Sequence, residues 1–155
     1  MPISRLVPAL LALLALLSAL GGCSAPASPV GNQTQTAVTR PAQIDTATAQ
    51  TSQQGRYRIS YTPDTEPITI NTLHAWTVHV ATVDDQPVPD ATVSVAGGMP
   101  EHNHGMPTQP QVTPAGGGDY RVEGMKFQMP GWWTVTVVVD AGDQQDSATF
   151  NLLLD

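Results

Sequence analysis

An all-β, immunoglobulin-like antiparallel β-sandwich of about seven strands is the fold this sequence predicts, and three observations predict it. After Gly55 no segment carries a convincing 3.6-residue apolar repeat, whereas several alternate with period two. Turn-forming clusters separate those segments at Pro63-Asp64, Asp84-Asp85, Gly116-Gly117-Gly118 and Ala141-Gly142-Asp143. The single Cys of the chain is Cys23, so the part beyond Gly55 has no thiol and a packed core must hold it together.

The elements follow in order. Tyr57, Ile59 and Tyr61 alternate with Arg56, Arg58 and Ser60. Ile68 and Ile70 alternate with Thr69 and Asn71 and are expected to form a short strand. Trp76, Val78 and Val80 share one face, with Thr77, His79 and Ala81 opposite. Val93 and Val95 follow the turn Pro87-Val88-Pro89-Asp90. Tyr120 and Val122 make another strand. Trp133, Val135, Val137 and Val139 mark the longest one, and Phe150, Leu152 and Leu154 close the chain. Trp76 and Trp133 fall on the apolar parities and are expected to anchor the core. Asp140, Asp143 and Asp146 suit a polar hairpin better than a calcium loop, because EF-hand spacing is absent.

The N-terminus reads as a targeting segment. Arg5 supplies a basic residue, Leu6 to Leu20 is an apolar run, and Leu20-Gly21-Gly22-Cys23 ends it. That end resembles the lipobox of bacterial lipoproteins, which implies cleavage before Cys23 and lipidation of Cys23. Residues 1–22 are therefore expected to be a signal peptide. Residues 23–55 are expected to be the lipidated Cys and a flexible tether, rich in Ser, Thr, Gln, Ala and Pro. About 30 residues of such coil reach roughly 30 Å. An edge strand near Ile44 is the alternative for part of it. Residues 56–155 are expected to form one domain.

The chain carries a net charge of -7, which becomes -8 once Arg5 leaves with the signal. An acidic domain with so few Lys and Arg lacks the footprint of a nucleic-acid binder. Acyl chains rather than surface charge would hold it at the membrane, outside the cytoplasm.

The functional candidate is Met99-Pro100-Glu101-His102-Asn103-His104-Gly105-Met106. It holds two of the four His and two of the five Met in the chain. Imidazole and thioether together suit copper, Cu(I) in particular, where thiols would be oxidised. In an extended conformation His102, His104 and Met106 share one side, and Met99 can fold back over the Pro100 turn. Zinc would instead prefer the His pair with a carboxylate, and Glu101 is adjacent. Against any metal stands the ordinary use of Met as core filler and of loop His as solvent-exposed decoration. Met125, Phe127 and Met129 share parity further on, and either Met can complete the site or simply pack. His74 points towards the core end of its strand as another possible completion, while His79 is assigned to the surface.

At these residues the chain resembles the YtkA-like/FixH-like family of small extracytoplasmic domains. The resemblance rests on Leu73-His74-Ala75-Trp76-Thr77-Val78, Pro87-Val88-Pro89-Asp90-Ala91, Gly98 to Thr108, Gly118-Asp119-Tyr120 and Met129-Pro130-Gly131-Trp132-Trp133. It covers about residues 56 to 154. It implies an immunoglobulin-like sandwich and an association with copper handling or with assembly of haem–copper oxidases. A FixH-like protein carries an N-terminal membrane span, whereas this chain carries a lipobox.

The functional expectation is a membrane-anchored copper-binding accessory protein. Met99, His102, His104 and Met106 are its candidate ligands, with His74, Met125 and Met129 as completions. A copper-containing or other envelope protein would be its partner. The alternative is a non-metal structural or protein-interaction module of the cell envelope. No paired carboxylates and no nucleophile–His arrangement are visible, so an enzyme is not expected.

Overall fold

The computed structural model describes residues 38–155, which are all strand, turn and loop. The expected signal peptide, the lipidation site Cys23 and the first part of the tether lie outside the described residues. Among the described residues nine antiparallel strands form two sheets. The first sheet has the order β1 (Ala49–Thr51), β2 (Tyr57–Pro63), β3 (His74–Thr82), β7 (Asp119–Met125), β6 (Gln111–Gly116). The second has the order β5 (His104–Gly105), β4 (Thr92–Met99), β8 (Gly131–Ala141), β9 (Gln144–Leu154). The result is an all-β sandwich, as the alternation requires.

The period-two pattern translates directly into burial. Trp76, Val78 and Val80 of β3 and Trp133, Val135, Val137 and Val139 of β8 are completely buried. Tyr57, Ile59 and Tyr61, Val93 and Val95, Tyr120 and Val122, and Phe150 and Leu152 complete the two inner faces. Opposite parity does not always mean exposure. Trp132 is also buried, and its indole donates to Asn151 Oδ1 at 2.9 Å.

Two elements depart from expectation, and a third, around Val112, is the short strand the long connection allows. Ile68 and Ile70 form no strand, because Pro63 and Pro67 remove backbone donors and Asn71 takes a left-handed φ of 62°. The segment is a loop whose Ile68 packs against the core. The long connection between β4 and β7 carries both β5 and β6, the latter around Val112. The sheet also begins before Arg56. β1 lies within the stretch expected as tether, and pairs Ala49, Gln50 and Thr51 with Ser60, Ile59 and Arg58. Backbone pairing rather than apolar content holds this short edge, so its weak β-propensity concealed it.

The two ends of the sandwich are closed differently. At one end Asp146 on β9 is buried and gathers the turn between β1 and β2. It accepts from Ser52 Oγ at 2.6 Å, from Gln54 N at 3.1 Å, from Arg56 N at 3.3 Å and from Ser147 N at 2.8 Å. Burial opposes its charge, but these donors outweigh it and hold the carboxyl below its usual range. Nearby, the Tyr120 hydroxyl donates to Val88 O at 2.6 Å and accepts from Ala91 N at 2.9 Å, pinning the turn before β4.

The Asp146 contacts make two predictions. Asp146→Ala leaves buried donors without an acceptor, and should lower the unfolding free energy by about 2–3 kcal/mol in urea titrations. Asp45 and Asp64 are likewise held below their usual range, by hydrogen bonds from Gln50 and from Arg121 respectively. Because these folded-state values are depressed, the stability they contribute is present above the ordinary aspartate pKa of 3.8 and is lost as pH falls through the folded values. Stability measured from pH 5 to about 2 should therefore fall more steeply in the parent than in Asp146→Asn. Equal slopes would contradict the assignment.

Candidate metal centre

The other end of the sandwich holds the candidate ligands. The strand registers bring there the start of β3 at His74, the end of β4 at Met99, the end of β7 at Met125 and the start of β8 at Gly131. His74 pairs with Met125 across β3 and β7, and Met99 pairs with His104 across β4 and β5. Directly opposed residues project to the same face. Met99 is buried, so His104 is aimed at the inner side of the sheet. Met106 follows opposite Gly97, and its amide donates to Gly97 O at 3.1 Å.

Two of the candidate ligands come into direct contact, His104 Nε2 to Met129 Sδ at 3.2 Å. Met129 lies on the crossing from β7 to β8 and His104 on β5, so the two ligands come from separate parts of the chain. The Trp133 indole donates to Met129 O at 3.0 Å and thereby fixes that crossing. His104 stands edge-on to Trp133 with ring centroids 5.7 Å apart. Its Nδ1 lies 3.0 Å from Gly105 O. His102 sits on the exposed turn between β4 and β5, with its ring centroid 5.9 Å from that of His104.

These separations suit one soft ion. Bonds of about 2.0 Å to nitrogen and 2.3 Å to sulfur place two tetrahedral ligands about 3.5 Å apart. Two imidazoles on one ion bring their ring centres within about 6 Å. Among the described residues no three His, Cys, Asp or Glu side chains are grouped to hold a metal. His102, His104 and Glu101 therefore do not form the set that zinc would prefer, and any ion held here depends on thioether.

The remaining candidates are placed as walls and floor. Met99 and Met125 are buried in the core. Met106 is half-buried and fills the space over Gly97, where an added Cβ would stand 3.2 Å from its sulfur. His74 lies 5.6 Å from Phe127 by ring centroids, its Nδ1 is 3.1 Å from Thr72 O, and its Nε2 is buried with no hydrogen-bond partner. His79 is on the surface and contacts Asp119 at 2.6 Å.

Sequence reasoning missed two contributors. Gln128 reaches across to the His104 loop, its Nε2 3.2 Å from His104 Nδ1 and 3.1 Å from Gly105 O. Nothing in its residue type marked it, and only its place between Phe127 and Met129 is suggestive. Gly131 takes a φ of 124°, and a Cβ there would meet Met99 Cε at 2.9 Å. Gly131→Ala should cost about 2 kcal/mol or more and shift the Met99 methyl resonance. Unchanged stability together with an unmoved methyl signal would show that the contact is slack.

The comparisons with known proteins bear on the same region. No curated protein and no solved structure matches the chain. The family model described as YtkA-like matches residues 49–138, more than half of the chain and inclusive of β1 to most of β8. The chain belongs to the YtkA-like family.

Proposed function

We propose that this domain binds copper as Cu(I), through His104 and Met129 with His102 as a third ligand, and serves as a metal-handling accessory protein. The observation that carries the reading is the 3.2 Å approach of His104 Nε2 on β5 to Met129 Sδ on the β7–β8 crossing. Imidazole with thioether is a donor set that favours Cu(I) over Mg²⁺, Ca²⁺ or Mn²⁺, which prefer oxygen. A half-buried position against Trp133 limits water access and suits a soft ion. Met99, paired with His104 across β4 and β5, is buried behind the pair and would be a fourth donor and second thioether if its side chain turned towards the ion.

The lipobox-like Leu20-Gly21-Gly22-Cys23 supports attachment to a membrane outside the cytoplasm, with residues 24–48 as the spacer. A tethered domain with an accessible His102 can exchange its ion with a copper-containing or other envelope protein. Binding, rather than catalysis, is the role this donor set supports.

Competition titration of Cu(I) against a chromogenic chelator tests the binding. The parent should bind one ion with Kd below about 1 μM, Met129→Leu should weaken it at least about tenfold, and His102→Ala/His104→Ala should abolish it. No binding by the folded parent, or equal binding by the folded double variant, refutes the reading. It would favour instead a protein-interaction module whose partner capture ignores chelators. Anchoring is tested separately: Cys23→Ser should move the protein from the membrane to the soluble fraction, and retention in the membrane would contradict lipidation.

A further inference from the structure

The loop that carries Ile68 and Ile70 is fixed at both ends. Asp64 N donates to Ala75 O at 2.9 Å, and the Asp64 carboxylate accepts two bonds from the Arg121 guanidinium, at 2.7 and 2.6 Å. At the far end Asn71 N donates to Phe127 O at 2.7 Å. Residues 45–48 are pinned as well, and to both sheets. Asn151 Nδ2 of β9 donates to Asp45 O at 2.9 Å, and Tyr61 N of β2 donates to Thr48 O at 3.0 Å.

Between these two segments and the end of β9 the sandwich opens into a groove of about 1080 Å³. Small-molecule sites run to roughly 300–1,000 Å³, so the space suits such a ligand. Tyr61 and Leu152, both buried, form the floor, and the half-buried Ile68, Ile70 and Leu154 form the walls. Because both bounding segments are tied to strands, the groove is built before anything enters it, and little ordering entropy is lost on binding.

The charge on the rim has one sign. Glu66 and Asp155 line the groove, and no Lys or Arg among the described residues does. Neither carboxylate has an ion-pair partner among the described residues. The negative field reaches the floor. Burial first, and then the Glu66 charge, push the Tyr61 hydroxyl above its ordinary range. An anionic amphiphile would be repelled here. A second copy of this chain, with its own net charge of -7, would set carboxylates against carboxylates. An apolar body with a cationic head matches both walls and rim.

We propose that this groove binds a small amphiphilic cation, its apolar tail on Tyr61, Ile70 and Leu152 and its ammonium head at Glu66 and Asp155. Neither His104 nor Met129 lines the groove, so the site stands independently of the Cu(I) reading.

Methyl NMR of the metal-free protein, titrated with octyltrimethylammonium, octanol and octanoate, tests the proposal, because the three probes share a tail and differ in the charge of the head. The cation should move the methyl signals of Ile68, Ile70, Leu152 and Leu154 with Kd below about 1 mM, while the Met129 methyl stays in place. Octanoate should bind at least about tenfold more weakly. Glu66→Gln/Asp155→Asn changes only exposed side chains, and should weaken the cation roughly threefold or more, bringing it level with octanol. Ile70→Ser, at a residue outside the packed core, should weaken the cation and the alcohol alike. No movement of the groove methyls at millimolar cation, or equal binding of all three probes, overturns the proposal. So does an unchanged Kd for the cation in the folded Glu66→Gln/Asp155→Asn variant. Groove signals that shift with protein concentration alone would assign the groove to self-association, and overturn it too.

Discussion

The aromatic column of Trp76, Phe127 and Trp133 is the contact on which the candidate site depends. Trp76 comes from the first sheet, Trp133 from the second, and Phe127 from the crossing between them. Phe127 meets Trp133 edge-on at 5.1 Å and lies 6.1 Å from Trp76 by ring centroids. All three are fully buried. Such pairs contribute about 0.5–1.5 kcal/mol each beyond burial, and here they take the place a covalent staple would occupy. Tyr61 extends the column by stacking on Trp76 at 4.2 Å.

His104, Met129 and His74 are each held against this column. Trp133 holds Met129 through its indole and His104 through its edge. Phe127 lies beside His74 and, being next to Gln128, sets where the carboxamide leaves the crossing. The opposite end uses polar rather than aromatic closure, with Asp146 and Tyr120 tying turns to strands through the hydrogen bonds of their side chains. The division is physically sensible. A buried carboxylate satisfied by fixed backbone donors makes a rigid end with no spare capacity. An aromatic end with thioethers and imidazoles keeps polarizable atoms near the surface.

Much of the fold was readable from alternation alone. The parity of Trp76-Val78-Val80 and of Trp133-Val135-Val137-Val139 named the inner faces correctly, because each side of these strands meets one environment. Ile68 and Ile70 carried the same alternation and were misread, since two prolines and a left-handed Asn71 outweigh a two-residue pattern. β1 entered only as an alternative edge strand near Ile44, because its stability resides in backbone pairing with β2. For the site, residue type pointed to His104 and Met129, but their pairing depends on the β7–β8 crossing and was open among several Met. Gln128 was invisible, because a carboxamide acquires meaning only from the atoms it faces.

The central claim is that a single Cu(I) ion is held jointly by imidazole and thioether at the end of the sandwich. X-ray absorption at the copper edge on the Cu(I)-loaded domain tests it most directly. The account predicts a Cu(I) edge and a mixed shell, with nitrogen at about 2.0 Å and at least one sulfur at about 2.3 Å. A shell of nitrogen and oxygen alone, unchanged in Met129→Leu, would contradict it.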